Sequence, residues 1–480
     1  MVFKILVHRS TLRGDLLITM VNGISVLLGI FLLYGLIARV MGVEALGELL
    51  LVRRTALTLM GLLLIGMNIG LPYYIGKEGD QAYAANALVL YLFVTIPLVG
   101  VLSGFLYLGG LPGFPKALVP AFFIMAAGYA MQYLAYGQLR GHLNMLAANL
   151  VQLVGIGLIP LGAFIIFKSA GVGPILIATG LGTFFFAGVV YLTKMGRGYA
   201  SLDLKKAGRL LAYGFRRVPS SLAQFVLLGG VPLLILSDTG HADIAYVNAG
   251  ISLIRLFMVV VGPLGIVLLP RISRALAEGR QAQVGHGLEL LSRGVLFVGV
   301  PLALYLSMNH LTITTIWLGA EGAEGAWIVQ IMTLALPFYL LMEVLRSPID
   351  AASTRGYNSV IYSASALVLL ICFYGLKTVG LASVTAGTIS FVAGQITASM
   401  AGIYYANRIY HIRILSRPFG TTILGVAALA FLILHILSVS VSGPAALLIG
   451  GGILGGALSL YFFKSRADWV VGVRAVVLAR

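Results

Sequence analysis

The chain has 480 residues, of which 60% are apolar and only 10% are charged, and its mean hydropathy is +1.02. A soluble protein has about 25% charged and about 45–50% apolar residues, so the composition excludes a soluble enzyme, a nucleic-acid-binding protein and a disordered scaffold. It indicates a protein whose solvent is lipid. Lysine and arginine outnumber aspartate and glutamate by 32 to 15, an excess that is typical of cytoplasmic loops in membrane proteins.

The apolar segments predict about fourteen membrane-spanning helices, because a span needs about 20 mostly apolar residues. In chain order they lie near residues 16–38, 45–74, 82–108, 117–138, 146–167, 172–193, 210–236, 244–270, 284–308, 325–345, 357–376, 379–405, 418–438 and 444–463. The basic N-terminal segment leads into the first of them with no signal-peptide cleavage site after it, so this segment is predicted to be a retained span. The expected fold class is an all-α polytopic membrane protein.

The lysines and arginines predict the orientation of these spans. With the N-terminus inside, the inner segments carry 22 of the 32 basic residues and the outer segments carry 4. The positive-inside rule therefore predicts a multi-pass protein of the cytoplasmic membrane with both termini in the cytoplasm. The six remaining basic residues are arginines inside predicted spans.

The second and eighth predicted spans carry related sequences. An offset of 198 residues aligns Gly42 with Gly240 and Pro72 with Pro270 without a gap. This register predicts a duplication into two pseudo-symmetric six-helix bundles with the same orientation, as in alternating-access transporters built from parallel repeats. The predicted parts are a first half (1–194), a basic cytoplasmic linker (195–209), a second half (210–410) and two extra C-terminal helices with a basic tail (411–480). Substrate is expected at the interface of the halves.

Three arginines lie deep in predicted spans: Arg53 and Arg54 in the second span and Arg255 in the eighth. A charge at a helix centre costs at least ~2.5–3.5 kcal/mol on insertion scales and almost always faces a cavity or a partner. The only acidic residue well within a span is Glu343, near a helix end. The arginines therefore indicate a water-filled cavity or an anionic ligand such as phosphate, whose oxygens fit the guanidinium fork. Snorkelling to lipid headgroups is the alternative.

Four further residues are candidate functional groups. Arg216 and Arg217, early in the seventh span, are either a cationic inner mouth that contacts the diphosphate or interfacial anchors. Asp15 starts the first span at matching depth and is a candidate gate partner for these arginines. Glu343 is a candidate site for H⁺ or Na⁺ coupling, although Arg346, three residues later on the same helix face, favours a plain ion pair.

The sequence lacks the motifs of most catalytic sites. It contains no HExxH, GxSxG or P-loop motif, and Cys372 is its only cysteine. We therefore expect neither an enzyme nor a metal site, and no cofactor other than a coupling ion gradient.

Four segments carry a family resemblance: G-x-E-A-x-G at 42–47, G-H-A-D-I-A-Y at 240–246, L-x-Y-G at 211–214 and L-P-R-I-S-R at 269–274. Their order and spacing over residues 10–410 resemble the polysaccharide (O-antigen) flippases of the multidrug/oligosaccharidyl-lipid/polysaccharide (MOP) exporter superfamily. The resemblance implies a bacterial or archaeal flippase that carries undecaprenyl-pyrophosphate-linked oligosaccharide to the outer leaflet by alternating access. It implies as partners this lipid-linked oligosaccharide, membrane lipids and glycan polymerase or assembly proteins, and no nucleic acid.

The resemblance also suggests a ligand set. In related lipid II flippases, arginines on the first, second and eighth helices contact the pyrophosphate. Here the second and eighth helices supply Arg53, Arg54 and Arg255, whereas the first span has no arginine between residues 16 and 38. Arg216 and Arg217 are candidates to replace it.

Two alternatives stay open. A MATE-like multidrug or cation antiporter of the same superfamily would need buried carboxylates, and only Asp15, at the edge of a span, comes close. An integral-membrane oligosaccharide polymerase or ligase is less favoured, because the sequence predicts no large outer loop to hold an acceptor.

Overall fold

The structure, a computed structural model, describes residues 12–195, 203–215, 218–258, 278–352, 356–440 and 443–464, together with residues 272, 275 and 276. Every regular element in these residues is a helix, which confirms the all-α class. The helices are α1 (Leu12–Met41), α2 (Val43–Thr58), α3 (Met60–Leu63), α4 (Met67–Glu78), α5 (Ala82–Tyr107), α6 (Lys116–Gly141), α7 (Met145–Phe167), α8 (Val172–Met195), α9 (Leu204–Phe215), α10 (Val218–Ile235), α11 (His241–Leu256), α12 (Gln281–Met308), α13 (His310–Leu318), α14 (Ala326–Thr333), α15 (Leu336–Ala352), α16 (Tyr357–Thr378), α17 (Ser383–Tyr410), α18 (Arg417–Ser440) and α19 (Gly443–Lys464).

The described helices include ten that are long and apolar enough to span a membrane, or eleven if α14 and α15, bent by 45°, form one span. The expected number of fourteen is not confirmed. The predicted second span is divided into α2, α3 and α4, and the break before α4 lies at Ile65 and Gly66, whose positive φ angles of 45° and 68° end a right-handed helix. The predicted eighth span continues past Met258, outside the described residues. The predicted fourteenth lies in α19, in which the apolar stretch Gly443–Ala457 is shorter than the other spans.

Three of the spans contain a π-helical turn, and each turn ends two residues before a proline. The turns are Tyr91–Thr95 in α5, Leu153–Leu158 in α7 and Val226–Gly230 in α10, followed by Pro97, Pro160 and Pro232. Proline lacks an N–H, and its ring clashes with the carbonyl group four residues earlier. A wider turn relieves this clash, and it changes which backbone carbonyls have a helical donor.

Small residues allow α6 and α8 to pack closely. The two helices meet at Gly128 and Gly180, where an added methyl group on either glycine would collide with the backbone of the other helix. Helices in a bilayer associate mainly through such close packing, because lipid provides no hydrophobic driving force between them.

Packing divides the chain into two compact units, unit 1 (Met1–Ala245) and unit 2 (Tyr246–Arg480). In unit 1, α9 packs on α4 and α5, and α10 packs on α3. The predicted halves, 1–194 and 210–410, are defined by sequence repetition rather than by packing, so the duplication stays a prediction.

Ion pairs hold α9 to the loop between α4 and α5. Lys206 pairs with Asp80, and Nη1 of Arg209 lies 3.7 Å from Oε1 of Glu78. The hydroxyl of Tyr83 donates to Oε2 of Glu78 at 2.8 Å. The Lys206 ammonium lowers the pKa of the Asp80 carboxyl, and Asp80 in turn raises the pKa of Lys206. We call these five residues the α9 clasp.

Glu44, near the start of α2, caps the N-terminus of α11. Its Oε1 accepts from the backbone N–H of His241 at 3.2 Å, and its Oε2 accepts from that of Ala242 at 2.9 Å. A carboxylate at this position also interacts favourably with the helix dipole. One turn further along α2, a methyl group on Gly47 would collide with the carbonyl oxygen of His241. The starts of α2 and α11 therefore lie directly against each other.

Candidate functional site

Arg53 lies in the core of unit 1, where only 1% of it is exposed. Its Nε donates to the hydroxyl of Tyr129 at 3.1 Å, its Nη1 to the hydroxyl of Tyr34 at 3.4 Å, and its Nη2 to the carbonyl of Ile156 at 2.7 Å. The guanidinium also lies 5.6 Å from the centre of the Tyr34 ring. All three nitrogens thus have partners within the protein, and these surroundings do not support the prediction that Arg53 binds diphosphate.

The local sequence of α7 explains why Ile156 accepts a hydrogen bond from Arg53. In a regular α-helix, the acceptor at residue 156 would bond to the N–H of residue 160, but Pro160 has none. Ile156 lies in the π-helical turn before this proline, and the Arg53 guanidinium occupies its carbonyl. The sequence argument considered only carboxylates as partners for a buried arginine, so it missed the tyrosine hydroxyls and this proline-exposed carbonyl.

Arg54 follows Arg53 in α2 but has a different environment. Successive residues of an α-helix point about 100° apart, and Arg54 is half-buried whereas Arg53 is fully buried. Its backbone carbonyl accepts from the Thr58 hydroxyl at 2.6 Å. Arg54 is therefore the better candidate ligand of the two in unit 1.

The predicted gate residues are only partly described. Arg216 and Arg217 lie outside the described residues, and Asp15 lies in α1 with its side chain outside the described part. The proposed contact between Asp15 and the two arginines stays a prediction.

In unit 2, α11 and α15 bring Arg255 together with Tyr339. Arg255 is half-buried near the C-terminal end of α11, and its guanidinium interacts with the Tyr339 hydroxyl. Tyr339 is 4% exposed, and its hydroxyl donates to Sδ of Met258 at 3.1 Å. The deep arginine of α11 thus lies next to a buried tyrosine of α15.

The same face of α15 carries an ion pair. Tyr339, Glu343 and Arg346 are spaced at i, i+4 and i+7, which places them on one side of the helix. Nη1 of Arg346 lies 3.5 Å from Oε2 of Glu343, which confirms the expected ion pair. From α16, Tyr362 interacts with the Arg346 side chain. We call Arg255, Tyr339, Glu343, Arg346 and Tyr362 the unit 2 cluster.

The unit 2 cluster has an excess of positive charge. Its five members are two arginines, two tyrosines and one glutamate, so one guanidinium charge is not neutralised within the cluster. Guanidinium and phenol groups are donors that fit the oxygens of phosphate esters. The arrangement is therefore suited to an oxyanion rather than to an organic cation.

Comparison with solved structures relates this helix arrangement to known proteins. The chain is similar to the lipid II flippase MurJ in its inward closed conformation, with a TM-score of 0.72 and 13% identity over 94% of this chain and 99% of that chain. It is also similar to a mutant of the Vibrio cholerae MATE transporter VcmN, with a TM-score of 0.58 and 17% identity over 82% and 96% of the two chains.

A third similar structure is the outward-facing conformation of a multidrug resistance MATE family transporter of the MOP superfamily, with a TM-score of 0.57 and 13% identity over 88% and 98% of the two chains. The chain has the fold of the MOP exporters. Comparison of its sequence with protein-family profiles and with curated proteins gave no match. The MOP fold and the apolar spans make this an integral membrane protein.

Proposed function

We propose that this chain is a flippase that moves undecaprenyl-pyrophosphate-linked oligosaccharide to the outer leaflet by alternating access through a hydrated cationic passage. The observation that carries the proposal is the charge of the unit 2 cluster. The two positive charges of Arg255 and Arg346 outnumber the single negative charge of Glu343. Charged side chains inside a membrane protein are costly and mark substrate or ion pathways. The diphosphate is the part of the cargo that these arginines would bind.

The extent of the structural similarity also supports a lipid flippase. The similarity to MurJ leaves 6% of the 480 residues uncovered, which is about 29 residues. The C-terminal segment from Arg417 onward is longer than this, with 64 residues. The similarity to the lipid II flippase therefore includes part of the two C-terminal helices. The two MATE transporters cover 82% and 88% of the chain. By analogy, we assign α18 and α19 a role beside the lipid tail.

The charge of the cluster argues against the MATE-like antiporter. An exporter of organic cations needs carboxylates that are available to its cargo, but Glu343 is paired with Arg346. A polymerase or ligase is less favoured, because the three solved structures are transporters or flippases.

The remaining parts of the proposal concern location and energy. We propose a bacterial or archaeal cytoplasmic membrane with both termini in the cytoplasm, from the distribution of basic residues. A proton or sodium gradient is proposed to drive transport, with Asp15 contributing at the gate; Glu343, which is paired with Arg346, is not assigned to coupling. Partners are proposed to include glycan polymerase or assembly proteins in the same membrane.

Reconstitution into liposomes tests the proposal. Fluorescent undecaprenyl-pyrophosphate-linked oligosaccharide is placed in one leaflet, and its arrival in the other is followed by quenching. We expect Arg255→Gln to reduce the rate at least tenfold. The matched control is Arg408→Gln, because Arg408 is an exposed arginine of unit 2 that donates to a tyrosine, Tyr404, at 3.3 Å. Equal rates for Arg255→Gln and Arg408→Gln would contradict the proposed site, and efflux of organic cations without lipid transport would favour the antiporter.

A further inference from the structure

Arg346 is more exposed than Glu343 and Tyr362, two other members of the unit 2 cluster. Its side chain is 36% exposed, whereas that of its ion-pair partner Glu343 is 8% exposed. Tyr362, which interacts with Arg346, is 7% exposed. The carboxylate and the phenol are thus held inside unit 2, while part of the Arg346 side chain is accessible.

The contact between Arg346 and Glu343 is a loose one. The distance of 3.5 Å exceeds the ~2.7–2.9 Å of a charge-assisted hydrogen bond between a guanidinium and a carboxylate. Glu343 therefore compensates the charge of Arg346 without the bidentate geometry that gives such pairs their strength. An anion with more charge and better-placed oxygens would compete with it effectively.

Along α15, Glu343 lies between Arg346 and Tyr339, the tyrosine that interacts with Arg255. Glu343 follows Tyr339 by one turn, and Arg346 follows Glu343 by three residues. From residue 339 to residue 346 the helix rises about 10 Å. A group that takes the place of the Glu343 carboxylate would therefore lie next to Arg346 and one helical turn from the tyrosine that interacts with Arg255.

We propose that Arg346 is a second ligand for the diphosphate ester of the cargo, and that Glu343 is a built-in counter-ion that the diphosphate displaces. This inference rests on the proposed function. The carboxylate protects a cation inside the membrane while the site is empty, and the diphosphate replaces it with at least two negative charges. On release of the cargo, the Glu343 carboxylate returns to Arg346, which keeps the site from retaining its ligand.

Binding measurements on the purified full-length protein in lipid nanodiscs test this assignment. The probes are inorganic pyrophosphate and a polyprenyl diphosphate, which separate recognition of the free anion from recognition of the lipid headgroup. We expect Glu343→Gln to lower the Kd for the polyprenyl diphosphate at least tenfold, because the competing carboxylate is gone. The double variant Glu343→Gln/Arg346→Gln should lose this gain completely.

The double variant is preferred to Arg346→Gln alone, because that single change leaves a buried carboxylate without its cation and endangers folding. An unchanged Kd in Glu343→Gln would overturn the role of the carboxylate as a competitor. Equal affinities of the single and double variants would overturn the role of Arg346 as a ligand. Tighter binding of pyrophosphate but not of the polyprenyl diphosphate would overturn the assignment to a lipid headgroup.

These outcomes are distinct from failure of the proposed function. Wild-type protein that binds the polyprenyl diphosphate with this pattern but does not flip it in liposomes would refute the flippase proposal and leave the assignment of Arg346 standing. Wild-type protein that flips the lipid while both variants bind it with unchanged affinity would refute the assignment and leave the flippase proposal standing.

Discussion

The buried Arg53 gives a quantitative prediction about the core of unit 1. The change is Tyr129→Phe, which removes the hydroxyl that accepts from Nε of Arg53 at 3.1 Å and leaves a buried charged donor without that partner. A hydrogen bond to a charged group contributes about 1.5–3 kcal/mol. We therefore expect the free energy of unfolding to fall by about this amount.

A matched variant isolates the effect of the charge. Tyr91 is equally buried, and its hydroxyl donates to the neutral carbonyl of Ala127 at 3.0 Å. A hydrogen bond between neutral groups contributes about 0.5–1.5 kcal/mol, so Tyr91→Phe should be about half as costly as Tyr129→Phe. The assay is reversible unfolding in mixed micelles, followed by circular dichroism during titration with SDS. Equal costs for the two variants would refute the reasoning, because they would mean that the Arg53 guanidinium has access to water.

Two further predictions concern contacts within unit 1. Asp80→Asn should loosen α9, which is measurable as faster hydrogen exchange in α9. The α9 clasp of the wild-type protein should loosen in the same way in acid. The stability that the Asp80–Lys206 pair contributes is present above the ordinary carboxyl pKa and is lost as the pH falls through the lowered pKa of Asp80. The raised pKa of Lys206 preserves this stability in moderately alkaline solution. Gly47→Ala should destabilise the protein in thermal unfolding, because the new methyl group meets the carbonyl oxygen of His241, whereas Gly104→Ala, with open space around it, should be neutral or slightly stabilising. Unchanged exchange in Asp80→Asn, or equal effects of the two alanines, would contradict these contacts.

The features that were predictable from the sequence are local ones. Apolar runs of about 20 residues predicted most of the spans, because span length depends on the thickness of the bilayer. The pair between Glu343 and Arg346 was also predictable, because residues three apart in a helix are neighbours on its surface.

The features that were missed depend on contacts between distant segments. Arg53 is 76 residues from Tyr129 and 103 residues from Ile156 along the chain, so no local pattern connects them. The break in the predicted second span was missed as well, because Ile65, an apolar residue, adopts a positive φ there. The contact between Arg53 and Ile156 did have one signal in the sequence. Pro160 lies four residues after Ile156 and has no N–H, so the Ile156 carbonyl is open to another donor.

The central claim is that a positively charged site in unit 2 selects a diphosphate-linked lipid as cargo. The most direct test compares the flipping rates of two lipids that carry the same oligosaccharide on the same polyprenyl chain, one through a diphosphate and one through an uncharged linkage. The account predicts that the wild-type protein prefers the diphosphate lipid at least tenfold and that Arg255→Gln removes the preference. Equal rates for both lipids in the wild-type protein, or a preference that survives in Arg255→Gln, would contradict it.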